Sequence, residues 1–144
     1  MNMTAIQPKQ RADTLSATEP VIQEFGTKLQ LIRDRVVSVA NGYQTGVYIV
    51  GRPGTSKTFT VRQELELLDK PWVNKNARMT PMGLFEFLAD HPEHVIVLDD
   101  VTSLFKNEQA LQILLAALDG QPDEARLISY KSKARDERIW FTGS

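Results

Sequence analysis

Lys57 and Thr58 close the stretch "GRPGTSKT" (residues 51–58), which follows the apolar run "VYIV" and leads into residues of helical spacing. Strand, glycine-bearing turn, Lys-Thr and helix, in that order, make a cradle for phosphate. Backbone N–H groups of the turn and the positive end of the helix dipole face the anion, the lysine bridges the outer phosphates, and the threonine hydroxyl ligates Mg2+. A nucleoside triphosphate is therefore expected to contact Gly51, Arg52, Pro53, Gly54, Thr55, Ser56, Lys57, Thr58 and Phe59, with Lys57 acting on the reacting phosphate and Thr58 on the metal. Ser56 stands where the pattern G-x-x-x-x-G-K-[ST] has glycine. A Cβ there costs about 1–2 kcal/mol if the backbone is left-handed, an amount that a tight phosphate grip can absorb. The competing reading is a glycine-rich turn that only joins a strand to a helix.

The run "VIVLDD" (residues 95–100) supplies the carboxylates such a site needs. A continuous apolar strand, covered on both faces, delivers Asp99 and Asp100 to the C-terminal edge of a sheet. Asp99 is expected to hold Mg2+ through its water shell, and Asp100 to orient or deprotonate the attacking water. Either aspartate alone could be a helix N-cap or a strand-end turn; the pair together with the loop points to metal-assisted chemistry on a phosphate. His91 and His94 flank Pro92 with no third ligand in sight, and metal binding is not expected of them. Trp72 and Trp140 read as core or edge-strand residues.

The elements that must position these groups follow from the rest of the chain. Its 144 residues are the size of one domain. Seventeen basic against eighteen acidic side chains argue against a whole-surface nucleic-acid binder and leave room for a local basic patch. The absence of cysteine excludes disulfides and thiolate chemistry. No apolar run reaches membrane-span length and the N-terminus lacks a signal-peptide centre, so a cytoplasmic protein without a membrane partner is expected. Residues 1–18 are polar and read as a flexible leader. Thr18 or Glu19 ahead of Pro20 then starts a helix whose apolar face carries Val21, Ile22, Phe25, Leu29, Ile32, Val36 and Val37. After the turn "NGYQTG" come the strand "VYIV", the loop, a helix from Lys57 to Leu68, the strand "WVN", a helix from Thr80, the strand "VIVL" and a helix from Asn107 to Asp119 closed by Gly120. Strands separated by helices predict a right-handed, mostly parallel α/β sheet. The tail "ARLISYKSKARDERIWFTGS" breaks this rhythm, with two β-prone runs around a charged stretch, and predicts a hairpin.

"GRPGTSKT" resembles the "GPPGTGKT" loop of AAA+ ATPases, and "VIVLDD" resembles their Walker B strand, with the expected helix, short strand and helix between them. The resemblance implies a three-layer αβα P-loop NTPase core over residues 19–144, its mostly parallel sheet truncated before the sensor 1 strand, with a C-terminal β-hairpin and no lid domain. It further implies ATP and Mg2+ as cofactors, ATP hydrolysis, and a homo-oligomeric ring in the full-length protein. Sensor 1, the arginine finger and sensor 2 have no counterpart here, so weak hydrolysis is expected of the isolated chain. Minichromosome maintenance helicases, in the same superfamily, also carry a small non-glycine residue before the lysine. Most AAA+ members have glutamate at the position of Asp100, whereas some viral superfamily 3 helicases have aspartate.

The tail looks like the pre-sensor-1 hairpin of some AAA+ subgroups. Lys131, Lys133 and Arg135 near its tip could follow a DNA or RNA backbone through a ring pore. Lys75 and Arg78, in "NKNARMT", fall where AAA+ rings place a first pore loop. An ordinary solvated hairpin and a plain exposed loop are the alternatives. The expected function is remodelling or translocation of a macromolecule, nucleic acid foremost; a protein-remodelling ATPase and a nucleotide-binding switch with little turnover are the other readings. Ser56→Gly removes the one side chain that departs from the loop pattern. In a Mg-ATP titration it should leave affinity unchanged or improve it by up to about 1–2 kcal/mol.

Overall fold

The computed structural model describes residues 8–51 and 57–144, with side chains from Ile22 onward. Arg52, Pro53, Gly54, Thr55 and Ser56 lie outside the described residues. The chain forms α1 (Pro8–Ala40), α2 (Lys57–Leu67), β1 (Trp72–Asn76), α3 (Pro81–Asp90), β2 (Val95–Asp99), α4 (Thr102–Phe105), α5 (Glu108–Leu118), β3 (Arg126–Lys131) and β4 (Asp136–Phe141). β1 and β2 pair in parallel, from Trp72 opposite Val95 to Asn76 opposite Asp99, with α3 as the crossover. β3 and β4 form the expected antiparallel hairpin, from Arg126 opposite Phe141 to Lys131 opposite Asp136. The fold is mixed α/β with a small parallel sheet.

Short-range signals explain the helices that bracket the sheet. Thr80 caps α3 by accepting a hydrogen bond from the Gly83 N–H at 3.0 Å, and Pro81 fills the first turn, where a missing N–H costs nothing. Asn107 caps α5 in the same way through the Ala110 N–H, and Gly120 turns the chain away at φ +85°. β2 is apolar because both of its faces are covered. Val95 and Val97 pack with Val36 and Ala40 of α1 and Leu65 of α2. Ile96 and Leu98 point the other way, into a second cluster with Leu84, Leu88, Ile113, Ile128 and Phe141.

Five features differ from the sequence reading. "VYIV" forms no strand: among the described residues, 46–50 have no ladder partner. Their neighbourhood ties them elsewhere, Thr45 Oγ1 donating to the Leu118 carbonyl at 2.8 Å and Tyr48 meeting Phe105 edge-on at 5.2 Å. α1 begins at Pro8 and runs through Pro20. A proline in the first turn is free of cost, and an interior one forfeits a single intrahelical bond, so the later proline does not set the start. On the expected apolar face, Ile22 and Phe25 are not buried, at 67% and 47% exposed. α4 is a short helix that no periodicity in the sequence signals, and β1 extends to Asn76, past the expected "WVN".

The chain leaves the hairpin along β2. The Thr142 and Gly143 N–H groups both donate to the Pro92 carbonyl at 2.8 Å, the Ser144 N–H donates to the His94 carbonyl at 3.1 Å, and the Ile96 N–H donates to the Ser144 carbonyl at 2.6 Å. Bonds to the residues before and after Val95 are the signature of a parallel bridge between Ser144 and Val95. Gly143 permits it, because a Cβ there would collide with the His94 carbonyl and the Phe141 ring. Arg126, 5% exposed, donates from Nη2 to the Gly143 carbonyl and lies over the Phe141 ring. Burial pushes its guanidinium pKa down. Gly143→Ala should therefore cost about 1–3 kcal/mol by overpacking. A lower urea midpoint and faster exchange of the Ile96 amide would show it; an unchanged midpoint would mean the close approach is relieved at no cost.

Candidate nucleotide site

Lys57 opens α2, and its Nζ donates to the Gly51 carbonyl at 2.6 Å, folding the cation back across the turn to the residue where the loop begins. The ammonium thus sits at the mouth of the loop, by the helix end where backbone N–H groups have no intrahelical partner. Thr58 is the next residue. Its hydroxyl donates to Asp99 Oδ1 at 3.1 Å and joins the helix after the loop to the end of β2. Cis ligands on an octahedral Mg2+ at about 2.0–2.1 Å stand about 2.9 Å from each other, so these two oxygens already have the separation a shared ion, or a water on it, requires. Arg62, one helical turn past Thr58, brings its guanidinium to 3.9 Å from Asp99 Oδ2.

Asp100 turns away from this pair. Its φ is +61°, a left-handed conformation that costs a non-glycine residue roughly 1–2 kcal/mol. Its Oδ2 accepts from Arg78 Nε at 2.6 Å. The turn carrying Arg78 is itself fixed to β2, since the Ala77 N–H donates to the Asp99 carbonyl at 2.7 Å and the Arg78 N–H to Asn76 Oδ1 at 2.8 Å. With 76% of the Arg78 side chain exposed, the ion pair contributes no more than about 1 kcal/mol; it orients Asp100 without locking it. Lys57, Thr58, Asp99 and Asp100 all line a cavity of about 570 Å3.

The model of the sigma-54 interaction domain, a AAA+ P-loop ATPase-family domain, matches residues 25–140, well over half of the chain. The chain belongs to this family. No curated protein and no solved structure matches it. The matched span of the sigma-54 interaction domain contains the loop, both aspartates and almost all of the hairpin. ATP binding and AAA+ ATPase-type function come with the family.

The remaining expected site residues of this sigma-54 interaction domain are scattered. Phe59 follows Thr58 on α2 and is 67% exposed. Lys75 belongs to β1, with its ammonium 5.0 Å over the Phe87 ring, and so sits in the sheet and not in a loop. Lys131 ends β3 and Lys133 lies in the hairpin turn, both exposed. Arg135 is committed: one guanidinium nitrogen donates to Glu86 of α3 and another to Glu137, each at 2.9 Å. These hydrogen bonds, that to Glu86 first, raise its pKa. The side chain therefore anchors the hairpin to α3. Among the described residues no hairpin side chain bonds to Lys57, Thr58, Asp99 or Asp100. His91 Nδ1 lies 2.9 Å from the Phe87 carbonyl, and no group of three His, Cys, Asp or Glu among the described residues could hold a metal, so an ion at Thr58 and Asp99 would complete its shell with water and phosphate oxygens. Among the described residues no helix is long and apolar enough to cross a membrane.

Arg62 and Arg78 were not singled out for these contacts by the sequence. The first had a signal, since a residue four after Thr58 lies on the same helix face. The second had none, because its partner is 22 residues away across a strand crossover.

Proposed function

We propose that this chain is the nucleotide-binding core of an ATPase that uses ATP and Mg2+ to remodel a macromolecular partner. The observation that carries the reading is the Thr58–Asp99 hydrogen bond, which sets a helix-start hydroxyl and a strand-end carboxylate side by side at the mouth of the loop. In this reading the backbone of Gly51 through Phe59 surrounds the phosphates, and Lys57 exchanges the Gly51 carbonyl for the β- and γ-phosphate oxygens. Thr58 and Asp99 hold Mg2+, which neutralises phosphate charge when bound. Asp100, released from Arg78, orients a water whose oxygen attacks the γ-phosphorus as the bond to the ADP oxygen breaks; the water's proton passes to the carboxylate or to the departing phosphate. Residues 19–144 form the catalytic core as a three-layer αβα unit preceded by the leader 1–18, and the unit works in a homo-oligomeric ring in the cytoplasm.

A protein partner is favoured over DNA or RNA. Arg135 is spent on Glu86 and Glu137 and Arg126 is buried, so the exposed cations that remain on the hairpin are Lys131, Lys133 and Arg138, interspersed with Asp136 and Glu137, few for a groove that tracks a phosphate backbone. The family's own description, an interaction domain for sigma-54, also speaks for a protein.

Calorimetric titration with Mg-ATP tests the site. Lys57→Ala should lose about 1.5–3 kcal/mol of binding, roughly tenfold or more in affinity; equal affinities for the two proteins would defeat the assignment. Replacing the two carboxylates separates their roles. Asp99→Asn should weaken the Mg2+ dependence of binding, while Asp100→Asn should hold ATP affinity within a few-fold and stop hydrolysis in the ring-forming full-length protein. Turnover by Asp100→Asn at the unaltered rate would remove Asp100 from the mechanism.

A further inference from the structure

The two oxygens of the Asp99 carboxylate have different settings. Oδ1 accepts from the Thr58 hydroxyl at 3.1 Å, whereas Oδ2 lies 3.9 Å from Arg62 Nη2. The first is a hydrogen bond; the second exceeds hydrogen-bond length and is a contact of charge with charge. Thr58 and Arg62 are four apart on α2, so both stand on the helix face turned to the end of β2, and the long Arg62 side chain leans back toward the helix N-terminus to reach the same carboxylate. With 50% of the Arg62 side chain and 34% of the Asp99 side chain exposed, the pair adds little to stability. Its effect is on the charge of the site. Among the described residues, Lys57 lines one cavity with Asp99 and Asp100, while Arg62 and Arg78 pair with the two aspartates: three cations against two carboxylates. Without Arg62 the count is even.

We propose that Arg62 is a positioning residue that sets the order of binding: paired with Asp99, it biases the empty site toward the ATP anion and against a lone divalent cation, so that the nucleotide is taken up before its metal or together with it. This role rests on the nucleotide reading above. Mg2+ keeps much of its water when bound and relies on one or two carboxylates plus substrate phosphates. An Asp99 already neutralised by a guanidinium offers such an ion little, and the excess positive charge repels it. Bound ATP reverses the balance, since its phosphates outweigh one cation and offer the ion oxygen ligands of their own. The Arg62–Asp99 contact is able to lengthen at that moment because it has no hydrogen bond to break. The Thr58 hydroxyl meanwhile keeps Oδ1 in place.

Arg62→Gln removes the charge and keeps a polar side chain, while Arg62→Lys keeps the charge. Mn2+, a stand-in for Mg2+ read by electron paramagnetic resonance, is titrated without nucleotide, and ATP is titrated calorimetrically in EDTA, each at about 20 mM and about 500 mM salt. At the lower salt Arg62→Gln should bind Mn2+ about threefold tighter and metal-free ATP about threefold weaker, with both differences shrinking at the higher salt. Arg62→Lys should stay near the unaltered protein in both titrations. Opposite signs are the signature of charge: a side chain that only supported the packing of α2 against β2 would, on replacement, weaken both ligands. Weaker binding of both by Arg62→Gln, or a change in neither, would overturn the role of Arg62, as would the same opposite shifts in Arg62→Lys. In each of those cases, ATP binding that is lost in Lys57→Ala leaves the nucleotide reading standing. Absence of ATP binding in every version would remove that reading and the role of Arg62 with it.

Discussion

β2 carries a constraint that most of the molecule answers to: five consecutive residues, apolar and carboxylate-terminated, must have two faces covered and two edges hydrogen-bonded. A buried backbone N–H or C=O without a partner costs on the order of 1–3 kcal/mol. β1 satisfies one edge, and α3 is the crossover that lets it run parallel. Val95 and Val97 draw α1 and α2 onto one face, and Ile96 and Leu98 draw α3, α5 and the hairpin onto the other. Among the described residues the second edge is met at its beginning, by Ser144.

The chemistry of the site depends on the same strand. Asp99 and Asp100 are adjacent in sequence, and two like charges in contact would oppose each other. The left-handed turn at Asp100 separates them, one toward Thr58 and Arg62, the other toward Arg78. Each carboxylate acquires its own cation, Asp99 the guanidinium of Arg62 and Asp100 that of Arg78. The strained conformation is sustained because Ala77 and Arg78, fixed to β2 and Asn76, hold the surrounding turn in place.

Packing and charge decide the hairpin together. Ile128, Tyr130 and Phe141 are buried beneath it, while Leu127 and Trp140 form an exposed cross-strand pair on the opposite face. Arg135 closes the hairpin onto α3 through Glu86. A guanidinium held in two ion pairs is a poor ligand for a passing polyanion, since each phosphate contact would have to displace a carboxylate.

Much of this was legible in the sequence where the deciding forces act over a few residues. Caps at Thr80 and Asn107, the glycine stop at Gly120, the apolar run of β2, the two-run hairpin and the order of Lys57, Thr58, Asp99 and Asp100 all rest on hydrogen bonds and periodicities within one or two turns. Apart from α4 and "VYIV", the sequence by itself thus determined which elements form and which functional side chains stand at their ends. The tertiary structure decided what those ends meet. Whether "VYIV" becomes a strand depends on a neighbour's open edge, not on its own β propensity, and here an apolar gap lies between them. Arg62, Arg78, Lys75 and Arg135 are alike on paper as exposed cations; which carboxylate or ring each one finds was fixed by a crossover, a helix face or a hairpin that brings residues up to 49 positions apart into contact. Ion pairs between such residues leave no local pattern, because their energy is realised only once the backbone has been folded by other terms.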